Sequence, residues 1–175
     1  PTDEQVLASV IENNKNKPVK IRSTNGVLVN GVVDVNVRFS RCCSPVPGDE
    51  IVGFITRGRG ISIHRTDCVN VIALPESEKS RLVDVEWQQE SFHSNEKFMA
   101  EIKIFCNNRI GIFADISKIF TEREIDIASM SSKTSKQGTA TINMSFEVGG
   151  VDALQQLINR LMAVNSVIDI ERSNG

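Results

Sequence analysis

Four side chains in one stretch have the types that hold a metal: Cys42, Cys43, His64 and Cys68. Thiolates and imidazole together suit a tetrahedral Zn²⁺. His64 and Cys68 are four apart and would share a helix face if a helix began by Arg65. Cys42 and Cys43 are adjacent. Adjacent residues usually point in different directions, and zinc sites favour a two-residue spacer. A second reading therefore stands beside the metal: one cysteine packed in the core, the others free thiols, and His64 satisfying a backbone group. A Cys42–Cys43 disulfide is disfavoured in a reducing compartment. The same stretch is rich in arginine. Residues 36–68 hold Arg38, Arg41, Arg57, Arg59 and Arg65 against Asp49, Glu50 and Asp67, a net +2, whereas residues 1–35 sum to zero and residues 69–175 to −4. The guanidinium fork suits bidentate phosphate contacts. The alternative is a solvated face. Cys106 reads as a small buried hydrophobe and His93 as a solvated linker residue.

The elements that must position these residues follow from periodicity. Thr2 or Asp3 caps a helix over 2–13, and Asn13 to Pro18 is a polar linker. Val19–Ile21, Val27–Val29 and Val32–Phe39 read as short strands separated by Asn-Gly turns. Arg41 to Asp49, with two prolines and a glycine, is a rigid loop. Ile51–Thr56 and Ile61–Ile63 form a hairpin across Arg57-Gly58-Arg59-Gly60. Thr66 or Asp67 caps a short helix reaching about Leu74, residues 75–79 are an exposed loop, and Arg81–Trp87 alternates as a strand. Gln88 to Glu96 is polar and aperiodic. Beyond it come a strand over 98–105, an amphipathic helix over 111–122, strands over 125–132 and 139–148, a helix over 151–163 and a strand over 164–171. That βαββαβ order folds, through right-handed crossovers, into a four-stranded antiparallel sheet with two helices on one face. The fold class is α+β: helix and linker over 1–18, a small β-rich module over 19–88, a linker over 89–96 and a ferredoxin-like domain over 97–175.

Composition narrows the function classes. The chain has 175 residues, 40% hydrophobic and 24% charged, as in globular proteins and unlike disordered ones. It contains no run of about 18 apolar residues that would span a membrane, and no signal peptide is visible at its start. Four cysteines are too few for a disulfide scaffold, so the cytoplasm is the expected compartment. A net charge of −2 exerts no global pull on nucleic acid. The chain opens at Pro1 rather than Met, which reads as a fragment or a processed chain.

The string RCCSPVPGDEIVGFITRGRGISIHRTDC, Arg41 to Cys68, resembles the RIS or zinc-finger-like module of the RelA/SpoT stringent-response family, which makes and degrades the alarmone (p)ppGpp. The following unit, with NNRIGIFADISKIFTEREIDIASMS, resembles the ACT domain that ends those proteins. Together the two cover roughly residues 25–172. The resemblance implies a regulatory C-terminal fragment of a bifunctional enzyme, a GTP pyrophosphokinase with (p)ppGpp 3′-pyrophosphohydrolase activity. The catalytic half would be absent, since this chain shows no HD pair, no Mg²⁺-binding carboxylate cluster and no phosphate loop. It implies that RIS faces the ribosome, with Arg57, Arg59, His64 and Arg65 as candidate contacts to 23S rRNA and tRNA. On their own these residues could equally form a solvated hairpin tip. It also implies an amino-acid site, with a branched-chain ligand expected, between Asn107, Asn108, Arg109, Ile110, Gly111 and Ile112 of one ACT domain and Asp126 and Ile127 of its partner in a homodimer. Glycine allows close backbone approach, and a helix N-terminus attracts a carboxylate. This chain departs from the usual ACT pattern at Asn108, where Asp is common, and at Asp126, where Asn is common. Ile110, Ile112 and Ile127 could instead be plain core. Two other functions stay open: a stand-alone amino-acid-binding ACT regulator of a separate enzyme, and an RNA-binding module.

Overall fold

The computed structural model describes residues 26–29, 36–58, 60–88 and 96–173. The expected helix over 2–13, the strand at Val19, the linker residue His93 and Arg59 lie outside the described residues. Two β-rich layers make up the first module. Strands β1 (Val27–Val29) and β6 (Val85–Trp87) pair antiparallel. A four-stranded sheet runs β2-β4-β3-β5, from Val37–Phe39, Gly60–Arg65, Ile51–Thr56 and Leu82–Val83, with β2 parallel to β4. Its core is a β-branched set: Val27, Val29, Val37, Ile61, Ile63 and Val85. Such side chains suit a pleated surface buried on one face.

Three expectations for this module change. The strand read over 81–87 is two, β5 pairing with β3 and β6 with β1. The loop at 75–79 belongs to a 3₁₀ helix, Glu76–Arg81, held by Lys79–Glu76 and Arg81–Glu78 ion pairs. The helix after the hairpin shrinks to α1 (Val69–Ile72), with Cys68 at its N-cap. Neither expected cap acts there, because Asp67 is drawn onto the Arg65 guanidinium and Thr66 onto Glu50.

The second module has the order β7 (Phe98–Asn107), α2 (Ile112–Glu122), β8 (Ile127–Thr134), β9 (Thr139–Val148), α3 (Val151–Met162) and β10 (Val167–Arg172). Its strands lie in the order β10-β7-β9-β8, each antiparallel to its neighbour, which is the ferredoxin-like arrangement expected. Alternation in β7 and β9 puts Ala100, Ile102, Ile104, Ile142, Met144 and Phe146 inside. The helices cover that face with Ile112, Ile116, Ile119 and Phe120 from α2 and Leu154, Leu157 and Leu161 from α3. Each such burial stabilises by about 1.5–3 kcal/mol before entropy is counted. Cys106 is buried here as expected, its thiol donating to the Ala140 carbonyl at 3.6 Å. The last strand begins at Val167 rather than Val164, because Ser166 turns through φ +82° first.

The two modules share a boundary. Val46, from the rigid loop, is wholly buried among the second module's core residues. Phe39 stacks on Trp87 at 5.5 Å, and both meet the edge of Phe98. Val151 donates its N–H to the Pro47 carbonyl at 2.8 Å. Among the described residues no helix is long and apolar enough to cross a membrane.

Candidate functional site

Cys42 and Cys43 do turn toward one centre, although they are neighbours. Residues 41–43 form a turn, closed by the Ser44 N–H on the Ser40 carbonyl at 3.0 Å, and Ser44 itself sits at φ +45°. In such a turn successive side chains do not alternate as they do along a strand. His64 and Cys68 converge by another route than a helix face. His64 is next to last on β4, and the Cys68 N–H closes a turn onto the Arg65 carbonyl at 3.1 Å, folding the cysteine back beside the strand end.

The ligand atoms of Cys42, Cys43, His64 and Cys68 lie within 4.8 Å of one another. Cys42 Sγ is 3.4 Å from His64 Nδ1 and 3.5 Å from Cys68 Sγ, and Cys43 Sγ is 3.8 Å from His64 Nδ1. A tetrahedral zinc with Zn–S and Zn–N bonds of ordinary length sets about 3.8 Å between sulfurs and about 3.6 Å between sulfur and nitrogen. The donor set therefore fits a closed, structural Cys₃His site, and the residues that would hold it come from two separate stretches of chain. Burial is the largest single influence on the titration of all four groups. Burial pushes the Cys43 thiol up to about 12 and also raises that of Cys68. Cys42 feels the same burial, but hydrogen bonds from Ser40, Asn70 and its fellow cysteines outweigh it and leave the thiol below its ordinary value. Burial lowers the pKa of His64, which favours the neutral imidazole, the form that ligates. A divalent cation at the centre would favour the thiolates that burial alone opposes.

Arg65 is a correction. Read from sequence as a phosphate contact, it is 6% exposed and fully engaged inside the protein. Its Nε and Nη2 grip Asp67 at 2.9 and 2.7 Å, and Nη1 donates to the carbonyls of Cys43 and Ser173. The guanidinium holds the Asp67 carboxyl below the usual carboxylate range. The Arg65 backbone N–H donates to Cys43 Sγ at 3.3 Å, orienting that donor from behind. His64, read for both roles, turns Nδ1 to the thiols. Arg57 is exposed in the hairpin turn, and Arg38 and Arg41 are exposed without an ion pair among the described residues. Ser40, Asn70, Asp49, Arg172 and Ser173 complete the surroundings and were missed by sequence reasoning. The last two lie more than a hundred residues from the loop they touch, and no local signal marks them.

In the second module the expected ligand loop is well formed. Arg109 bridges to the Asn165 carbonyl, Ser166 Oγ and Asp115, and is spent on the fold. Ile110 is wholly exposed, Ile112 wholly buried, and Gly111 caps α2 at φ +84°. Asn107 and Asn108 are exposed, as is Asp126, while Ile127 is half-buried against the core. One chain does not bring the two groups together. Asn107 pairs with Thr139 and Ile127 with Phe146, seven positions apart on β9, or roughly 24 Å.

A thiol–imidazole β-module packed on a ferredoxin-like domain defines a two-module protein. Residues 27–88 match the family model of the RelA/SpoT RIS domain, and residues 94–172 that of the ACT domain. The chain belongs to the RelA/SpoT family. It is 35% identical to a GTP pyrophosphokinase of Escherichia coli K12, over all of this chain and 24% of that protein. It is 37% identical to a GTP pyrophosphokinase of Streptomyces coelicolor over 84% of this chain and 17% of that one. The chain thus spans about a quarter or less of the length of these curated relatives. Among solved structures, the ACT domain from a GTP pyrophosphokinase of Chlorobium tepidum is 26% identical with a TM-score of 0.40, over 44% of this chain and 99% of that one.

Proposed function

We propose that this chain is the regulatory C-terminal region of a bifunctional (p)ppGpp synthetase/hydrolase, holding one zinc in RIS and acting on a catalytic half of the same cytoplasmic protein. The observation that carries the metal is the convergence of Cys42, Cys43, His64 and Cys68 within 4.8 Å. Zinc would supply a closed structural tie there, with no open position for substrate. The regulatory role is supported by the RIS and ACT matches in sequence order and by relatives that are GTP pyrophosphokinases. The RNA-facing surface of RIS is then the exposed Arg57 of the hairpin turn, with Arg38 and Arg41, also exposed, as further cations of the same module, meeting ribosomal RNA phosphates. Arg65 is not part of that surface. The ACT domain pairs with a second copy and takes a branched-chain amino acid between its Asn107–Ile112 loop and the partner's second strand.

The metal and the RNA surface are tested together. The purified chain should carry one zinc per molecule by elemental analysis, and Cys68→Ser should lose it. Arg57→Glu with Arg38→Glu should leave the zinc and the melting midpoint unchanged, because exposed charges contribute little to stability and neither residue belongs to the turn that aims the thiols. The same pair should weaken ribosome binding more than tenfold, and wild-type binding should fall with salt. Ribosome affinity untouched by the charge reversal would defeat the RNA assignment. A metal-free wild type purified with zinc present would defeat the zinc.

A further inference from the structure

The ACT domain's last strand reaches the metal-binding loop and holds it from behind. Arg172, the final residue of β10, places Nη1 2.7 Å from Asp49 Oδ1 and Nη2 2.9 Å from Asp49 Oδ2, a bidentate pair. Both side chains are largely buried, at 19% and 10% exposed. The same Nη2 donates to the Ser44 carbonyl at 3.2 Å. The next residue, Ser173, donates its hydroxyl to the Cys42 carbonyl at 3.0 Å and accepts from Arg65 Nη1 at 3.1 Å. Arg65 Nη1 also donates to the Cys43 carbonyl at 3.2 Å. The carbonyls of three successive loop residues, Cys42, Cys43 and Ser44, are thus taken by Ser173, Arg65 and Arg172. Two of these three donors belong to the ACT domain. On the far side, Ser173 N–H bonds to the Glu101 carbonyl of β7, which ties the clamp into the sheet.

The physical consequence concerns the turn itself. Two adjacent cysteines reach one centre only while residues 41–44 keep the tight turn that aims both thiols inward. That turn needs Ser44 at positive φ, which is costly for a residue with a Cβ. Something must hold it, and the groups that do are the ACT strand and the Arg65 that the strand's end grips. Asp49 is fixed at the loop's other end by the same Arg172, by the Val46 N–H donating to its Oδ2 at 2.8 Å, and by Trp87 Nε1 donating to its backbone carbonyl.

We infer that Arg172 and Ser173 are positioning residues of the RIS metal site, so that the site is complete only with the ACT domain docked and metal binding tightens the docking in return. The inference rests on the zinc reading proposed above. Reciprocity is obligatory: if the docked strand raises zinc affinity by a given factor, zinc raises the docking equilibrium by the same factor. The clamp bonds the ligands' carbonyls rather than the donor atoms, so its effect belongs at the low end of the 10–100-fold seen for outer-shell changes.

The test uses the full chain and zinc in competition with a chromophoric chelator. Arg172→Ala should weaken zinc about tenfold, and Arg172→Lys, which keeps the charge but loses the fork, by less. Arg160→Ala removes an exposed Arg160–Glu122 pair on the helix side and should not change the affinity. Hydrogen exchange on the wild type supplies a readout free of any substitution: adding zinc should slow exchange in 167–173, and this slowing should vanish in Arg172→Ala. Equal zinc affinity in wild type and both Arg172 variants, with 167–173 indifferent to the metal, overturns the clamp and leaves the zinc site standing. A wild type that takes no zinc overturns the metal reading and the clamp with it.

Discussion

Gly60 sits at φ +81° where β4 begins, and a Cβ there would land on the carbonyl oxygen of Asn36. That close approach is required, because the same oxygen accepts the Ile61 N–H at 2.8 Å. Gly58, two residues earlier, has φ +77° but open space around its Cβ position. The pair separates backbone strain from steric conflict. Gly58→Ala should cost about 1 kcal/mol, the left-handed penalty alone. Gly60→Ala should cost roughly 3 kcal/mol or more, since overpacking adds to the strain. Urea midpoints of the two variants check this, and equal losses would mean that Asn36 yields freely. The residue scale also explains the misassigned arginine. Charge and neighbours make Arg57 and Arg65 look alike in sequence, but Arg65 lies on the inward side of a strand whose end packs against the second module.

At the scale of elements, β8 and β10 are the two edges of the second module's sheet, and β8 is the more exposed of them. It pairs with β9 alone, and seven of its eight residues are exposed. An unpaired edge is a template for another strand, and a second copy is the partner that symmetry favours. A ligand bridging two chains must strengthen their association. Sedimentation at several concentrations should therefore show a dimer that valine or isoleucine tightens. Ile110 gives a clean variant, because a wholly exposed side chain contributes nothing to the core. Ile110→Asp should leave stability within about 0.5 kcal/mol and remove the response to the amino acid. Gly111→Val is a poorer probe. Its Cβ would meet only Arg109 Nη1 at 3.8 Å, so its damage would come from φ +84° at the helix cap rather than from filling a pocket. No calorimetric heat with either amino acid would end the ligand claim, and a monomer at high concentration would end the edge claim.

Across the whole molecule, RIS and ACT are joined by a shared apolar contact as well as the Arg172 clamp. Val46 and the Phe39–Trp87–Phe98 cluster bury atoms from both modules together. Trp87 is the single tryptophan of the chain, so its fluorescence reports on that junction. Urea unfolding followed by Trp87 fluorescence and by far-ultraviolet circular dichroism should give coincident transitions, the mark of one cooperative unit. Trp87→Ala, which removes the fluorophore and is therefore followed by circular dichroism alone, should cost about 3 kcal/mol and split that transition into two steps. Fluorescence changing well before circular dichroism in the wild type would show that the modules part first and fold independently.

Periodicity alone determined the ferredoxin-like unit. The alternation of Ala100, Ile102 and Ile104 and the stripe of Leu154, Leu157 and Leu161 are short-range patterns, and each element buries the face its own spacing presents. Residue types likewise singled out Cys42, Cys43, His64 and Cys68, since thiolates with imidazole are a donor set that suits zinc. What the tertiary structure decided is where chain ends and turns meet. The turn at 41–44 aims both neighbouring thiols inward, against the alternation expected of adjacent residues. The Arg65 guanidinium faces inward because Asp67 and the Ser173 carbonyl await it there. Arg172 and Asp49, 123 residues apart, meet only once both modules have formed. Local patterns are set by the few residues within one turn or two strand positions, whereas these contacts depend on how complete surfaces dock, a property no window of sequence contains.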